Sequence, residues 1–125
     1  MPETDTDTIA ETFADALRTL ETDALIARLA PGAIVWHNHD RQEVDAEATL
    51  RGIGALTQLV GDRDLEIRRV APTPDGFVMQ FAVRGTVVAN GKPFEMQNCV
   101  IVSIVDDRVT RIDEYVDGTV AAQLA

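Results

Sequence analysis

Glu114 is the residue around which chemistry could be built. It stands in the stretch Arg111-Ile112-Asp113-Glu114-Tyr115-Val116-Asp117. Successive side chains of a strand point to opposite faces. Ile112, Glu114 and Val116 therefore share one face, and Arg111, Asp113, Tyr115 and Asp117 share the wetter one. Asn98 interrupts a second apolar face in the same way, among Phe94, Met96, Val100, Val102 and Ile104. Asn38 falls with Ile34 and Trp36 on a third, against Val35, His37 and His39. The expected inner faces thus carry three polar side chains, Asn38, Asn98 and Glu114, with the indole N–H of Trp36 beside them. A carboxylate in apolar surroundings is costly unless it is paired or neutral. Burial favours the neutral form, and a carboxyl that holds its proton suits general acid–base work. A few convergent polar groups in an apolar cavity are the mark of a ligand site. Glu114 and Asn38 would be its catalytic groups. Trp36 and Asn98 would bind the ligand, with Phe81, Val83, Met96 and Val100 as apolar walls. The same polar groups could also satisfy one another, with buried water, as a structural network.

The elements that must hold these residues can be read along the chain. Thr8-Ile9-Ala10-Glu11 reads as a capping box. Ile9, Phe13, Leu17 and Leu20, with Ala16, then recur at helical spacing. Thr22 or Asp23 can cap a second helix carrying Leu25, Ile26 and Leu29, which Pro31-Gly32 ends. Residues 34–38 read as a short strand, and 39–51 as a polar loop. A third helix is expected over 53–60, with Gly61 as its C-cap. Strands follow at 65–70, 77–89, 94–105 and 109–117. They are separated by Pro72-Thr73-Pro74-Asp75-Gly76, by Asn90-Gly91 and by Asp106-Asp107, all turn chemistry. Along the longest strand Phe77, Met79, Phe81, Val83 and Val87 form the inner face, and Gln80, Arg84 and Thr86 the outer. Helices first and long strands after imply an α+β fold: a curved antiparallel sheet with helices packed on one face.

The chain has 125 residues and a net charge of −10. That length allows a core without disulfides or metal, and residues 1–125 read as a single domain. The acidic balance repels phosphates and anionic lipid, so neither nucleic acid nor membrane is an expected partner. No apolar run approaches the ~20 residues of a spanning helix. The polar, acidic start is unlike a secretory leader, so a cytoplasmic location is expected. The one cysteine, Cys99, excludes an intrachain disulfide and any multi-thiolate metal site. Nothing activating surrounds it in sequence, and it reads as filler on the outer face. His37 and His39 point the same way on a strand, and Asp40 or Glu43 could make a third ligand. Asp40 alternates away, however. The pair reads as solvated or interfacial, and no metal is expected. Gly52 and Gly54 lack the context of a phosphate loop.

Two stretches carry a resemblance. Val35-Trp36-His37-Asn38-His39-Asp40 follows a Pro-Gly-Ala break, and Arg111 to Asp117 follows the Asp-Asp turn. With the order helix, helix, strand, helix, hairpin, they resemble the SnoaL-like branch of the nuclear transport factor 2-like superfamily. Ketosteroid isomerases, polyketide cyclases, limonene epoxide hydrolases and scytalone dehydratase belong to that superfamily. The resemblance spans essentially the whole chain. It implies a cone, with helices closing a curved sheet around an internal pocket and the outer sheet face pairing in a dimer. Glu114 falls where the cyclases and epoxide hydrolases carry a pocket carboxylate. Trp36 and Asn38 fall where the epoxide hydrolases carry a tyrosine and an asparagine that hold the attacking water. The arginine–aspartate pair of those hydrolases falls at Phe81 and Val83, both apolar, so epoxide hydrolysis is not implied. The pocket tyrosine of the ketosteroid isomerases is missing too. The only tyrosine, Tyr115, lies on the face opposite Glu114.

The expectation is a pocket protein for a small apolar molecule. It would be a cofactor-independent acid–base enzyme on a carbonyl or hydroxyl compound, of isomerase, cyclase or dehydratase type. A binding protein without chemistry would use the same pocket. An interaction module would use the outer face, where apolar Val88, Ile101 and Val105 suggest a homodimer.

Overall fold

Apolar residues at helical spacing pull the N-terminal segment onto the sheet. The computed structural model describes residues 5–124, and α1 runs Asp5–Thr19. Ile9, Phe13 and Ala16 are buried, and the Phe13 ring meets Phe77 edge-on at 6.1 Å. Thr8 lies inside α1 rather than at its cap, so the expected capping box is not the helix start. α2 is one turn, Asp23–Ile26. The buried Thr22 Oγ1 donates to the Leu50 carbonyl, 3.1 Å away, and ties this turn to the helix over residues 46–52.

Leu29 does not continue α2. It opens β1, Leu29–His37. Pro31-Gly32 breaks the strand's pairing instead of ending a helix: the register slips between Leu29 and Ile34, and Gly32 takes φ +75. The expected loop at 39–51 holds two elements, β2 (Glu43–Asp45) and α3 (Ala46–Gly52). Asp45 is the reason α3 forms, because its side chain accepts from the Ala48 N–H at 2.9 Å as an N-cap. The expected third helix is a 3₁₀ turn, Ile53–Ala55, running into α4, Leu56–Leu59.

Four long strands follow: β3 (Val60–Thr73), β4 (Gly76–Val87), β5 (Pro93–Val105) and β6 (Arg108–Val116). Asn90-Gly91 turns the β4–β5 hairpin, with Gly91 at φ +71 and its N–H on the Val87 carbonyl. Asp106 and Asp107 both take positive φ and join Val105 to Arg108 in a two-residue turn. Gly85 lies where β4 crosses close to β3, and a Cβ there would stand 2.6 Å from a Val60 methyl. α5 (Val120–Leu124) ends the described chain. Gln123 clamps the backbone of Glu95 with two 2.8 Å bonds.

The sheet is one curved, unclosed layer in the order β2-β1-β6-β5-β4-β3. Neighbours are antiparallel except β1 and β6, which run parallel. The helices cover one face. Against them lie Phe77, Met79, Phe81, Val83, Val87, Phe94, Val100, Val102 and Ile112, all nearly sealed from solvent. No helix among the described residues is long and apolar enough to cross a membrane.

Candidate functional site

β6 places Glu114 on the inner face between two strands, opposite Val100 of β5 and His37 of β1. Asn98 is its diagonal neighbour on β5, close enough for a side-chain bond. Asn98 Nδ2 donates to Glu114 Oε2 at 3.3 Å, and His37 Nε2 lies 3.5 Å from Glu114 Oε1. Both contacts are at the long end of their class. The His37 side chain is 15% exposed and that of Glu114 29%. Glu114 is therefore not sealed in the core, as its strand pattern suggested, but reaches solvent along one side. Two buried atoms of the cluster, His37 Nδ1 and Asn98 Oδ1, have no hydrogen-bond partner. Such atoms are uncommon in folded proteins, and each requires a reason.

β1 is where the expected site changes. The parallel register sets Val35 against Ile112, Trp36 against Asp113 and His37 against Glu114. Val35, 3% exposed, is core. Trp36 therefore faces outward, where its ring packs on Tyr115 at 5.4 Å. The strand's own apolar pattern, Ile34 and Trp36, favoured the opposite assignment. Pairing with β6 decides it, because a one-residue change of parity exchanges the two faces. His37 takes the place beside Glu114 expected of Trp36.

Asn38 is a tie rather than an open group. Its Oδ1 accepts from the Val116 N–H at 3.0 Å, and its Nδ2 donates to the Val116 carbonyl at 3.3 Å. Its own N–H donates to the Glu114 carbonyl at 3.0 Å. The amide continues the β1–β6 ladder just past the end of β1 and fixes the backbone on both sides of Tyr115.

Phe81, Val83, Met96 and Val100 all lie on the inner face with Asn98 and Glu114. Phe81 and Val100 are packed into the core, at 2% and 1% exposure. Met96, half-buried, is the open member of the four and sits two residues from Asn98. A cleft of about 230 Å³ reaches Val83 from the C-terminal end of α1, between Leu17, Leu20, Arg63 and Leu65. A wider groove of about 520 Å³ runs between α1 and β3, over Ile67, Val70 and Met79. Neither takes in Glu114.

Beyond β1 the chain turns. Arg41 takes φ +57 and its N–H returns to the His37 carbonyl at 2.8 Å. Strand alternation sends Asp40 away from the histidines, but the turn brings it back. His39 Nε2 stands 3.5 Å from Asp40 Oδ2, and the rings of His37 and His39 are 5.1 Å apart. One ligand atom from each of His37, His39 and Asp40 falls within 4.8 Å of the others.

The outer face of β6 is built differently. Arg111 donates to Glu43 at 2.6 Å and to Asp113 at 2.8 Å. Those bonds, Glu43's first, raise the guanidinium above its ordinary range.

A sequence model of the SnoaL-like domain matches residues 10–112. No curated protein matches the sequence. Solved structures resemble it closely in shape and distantly in sequence. A nuclear transport factor 2-like protein of Burkholderia thailandensis has a TM-score of 0.78 at 16% identity, covering 98% of both chains. AclR of Streptomyces galilaeus, a candidate hydroxylase, has a TM-score of 0.79 at 12% identity, covering 93% of this chain and 81% of its own. TerC, co-crystallised with polyporic acid, has a TM-score of 0.76 at 13% identity, covering 97% and 98%. By the matched domain the chain belongs to the SnoaL-like family, and its fold is that of the nuclear transport factor 2-like proteins.

Proposed function

We propose that His37, Glu114 and Asn98 form the working end of a small-molecule site, and that the protein is a cofactor-independent acid–base enzyme on an apolar carbonyl or hydroxyl compound. One observation carries the reading. On an otherwise apolar face, a carboxylate is held loosely by an imidazole and an amide, and each of those partners keeps a buried polar atom unpaired. A finished structural network would close its bonds, because an unpaired buried polar atom costs about 1–3 kcal/mol. A ligand's hydroxyl can donate to either of these atoms.

Glu114 carries the proton. As a carboxylate it removes one beside a carbonyl, and as a carboxylic acid it returns one to an oxygen or carbon. His37 shares the proton across the 3.5 Å contact. Asn98 orients the substrate oxygen. Phe81, Val83, Met96 and Val100 supply the apolar surroundings. Isomerisation, aldol-type cyclisation and dehydration all need no more than this. Neighbours of the same fold support a small-molecule role: AclR is a candidate hydroxylase, and TerC was co-crystallised with polyporic acid.

The test is Glu114→Gln, which keeps the shape and removes the proton transfer. Wild type and variant are assayed on a panel of apolar carbonyl and hydroxyl compounds, with ligand binding measured alongside. Turnover that survives the substitution sinks the proposal. Binding by both proteins without turnover by either leaves a binding protein for an apolar metabolite.

The outer face supports a second copy of the chain as partner. Ile101 and Tyr115 stand 39% and 45% exposed on it, with Val88 just past β4 at 62% and Val105 at the end of β5 at 58%. Light scattering at micromolar concentration should give the mass of a dimer.

A further inference from the structure

We propose that His37, His39 and Asp40 bind a divalent transition-metal ion, zinc being the best match, with Glu114 holding the His37 ring in place. The inference goes beyond the acid–base reading, shares His37 and Glu114 with it, and gives the unpaired His37 Nδ1 to the metal.

Three observations carry it. The first is the ligand set. Two imidazoles and one carboxylate suit zinc and its neighbours far better than magnesium or calcium, which take oxygen. One ligand atom from each of His37, His39 and Asp40 already lies within 4.8 Å of the others. Ligands around one such ion stand roughly 3–4 Å apart at bond lengths of about 2 Å. His39 and Asp40 are about half exposed, at 53% and 43%, and free to close that gap.

The second is the preparation of Asp40. Its Oδ1 is fixed by the Gln42 N–H at 2.9 Å, and its Oδ2 is turned toward His39. The turn that does this is pinned by the Arg41 N–H on the His37 carbonyl. The carboxylate is thus aimed by backbone, not by the histidine it faces.

The third is the pairing of His37. Metal-binding histidines give their second N–H to a carboxylate, which fixes the tautomer and makes the ring more basic. Glu114 Oε1 stands 3.5 Å from His37 Nε2 in that role. With the proton there, the lone pair falls on Nδ1, the buried atom that has no partner. Three protein ligands leave a coordination position open to water or to a ligand oxygen.

The experiment uses the untagged full chain, stripped with chelator and dialysed. Zinc is titrated by calorimetry, and cobalt(II) is followed by its visible ligand-field absorption. One saturable site per chain and a cobalt spectrum of four- or five-coordinate intensity are expected. His39→Ala and Asp40→Asn should each weaken binding about tenfold or more. Glu114→Gln should weaken it by roughly 10–100-fold, as loss of the carboxylate behind a ligand histidine does. No saturable binding by wild type overturns the proposal, and so does binding that survives both His39→Ala and Asp40→Asn. His39 has no part in the acid–base reading. A His39→Ala protein that loses metal and keeps Glu114-dependent turnover separates the two, and failure of turnover alone leaves the metal site standing.

Discussion

Two polar clusters sit on opposite faces of β6, reaching β2 on the outer side and β1 and β5 on the inner. On the outer face Arg111 donates to Glu43 and Asp113 at 2.6 and 2.8 Å. On the inner face Glu114 meets His37 and Asn98 at 3.5 and 3.3 Å, and two buried atoms stay unpaired. The outer cluster has the short, charge-assisted bonds. Yet it lies toward water, where such pairs contribute little because solvent already satisfies the charges. The inner cluster has the poorer bonds in the place where poor bonds cost most. Stability alone explains the first arrangement and not the second. Groups that fold at a cost and leave atoms open are the ones to test with ligands.

The sharpest test of that contrast is Glu114→Gln. Turnover should fall by about 10²–10⁴-fold, the usual share of a general acid or base, while the melting temperature barely moves. Asn38→Ala comes next. It unpairs both polar groups of the Val116 backbone. Loss of about 1–3 kcal/mol is expected in a denaturant titration, with the Trp36–Tyr115 contact loosened. Asn98→Leu removes an unpaired buried oxygen along with one long bond. Stability should stay level or rise by about 1 kcal/mol, while ligand affinity falls. A loss above ~2 kcal/mol would make Asn98 a structural residue and break the comparison. Arg111→Ala should change stability by no more than about 1 kcal/mol, and less at high salt.

The smallest effect belongs to Glu95 on the outer face. Its hydrogen bond from Gln97, and then Arg84, hold its carboxyl below the ordinary value of 4.5. A group depressed in the folded state stabilises above its unfolded pKa and loses that contribution as pH falls through its folded one. The melting difference between wild type and Glu95→Gln should therefore be constant above 4.5 and shrink below it.

Much of the fold was legible because strands β4, β5 and β6 each carry a long, unambiguous alternation bounded by turn residues. Phe77 to Val87 sorts itself, and so do Phe94 to Ile104 and Ile112 to Val116. Glu114 and Asn98 were found on the inner face for that reason. β2, α3 and α5 were missed. They are three, seven and five residues long, too short for periodicity to rise above the polar residues around them, although Asp45 with the Ala48 N–H was a readable cap.

The sequence by itself determined the class of fold, the three hairpin turns and the face on which Glu114 stands. These rest on local rules: the pleat's period of two, and the residues that tolerate positive φ. The tertiary structure decided which residues meet Glu114. β1 is interrupted at Pro31-Gly32, has apolar residues of both parities, and pairs in parallel with a strand some eighty residues later in the chain. Only that distant pairing sets its parity. It turns Trp36 out, uses Asn38 to tie β1 to β6, and puts His37 in the site. A reverse turn, invisible to strand alternation, then brings Asp40 back to the histidines.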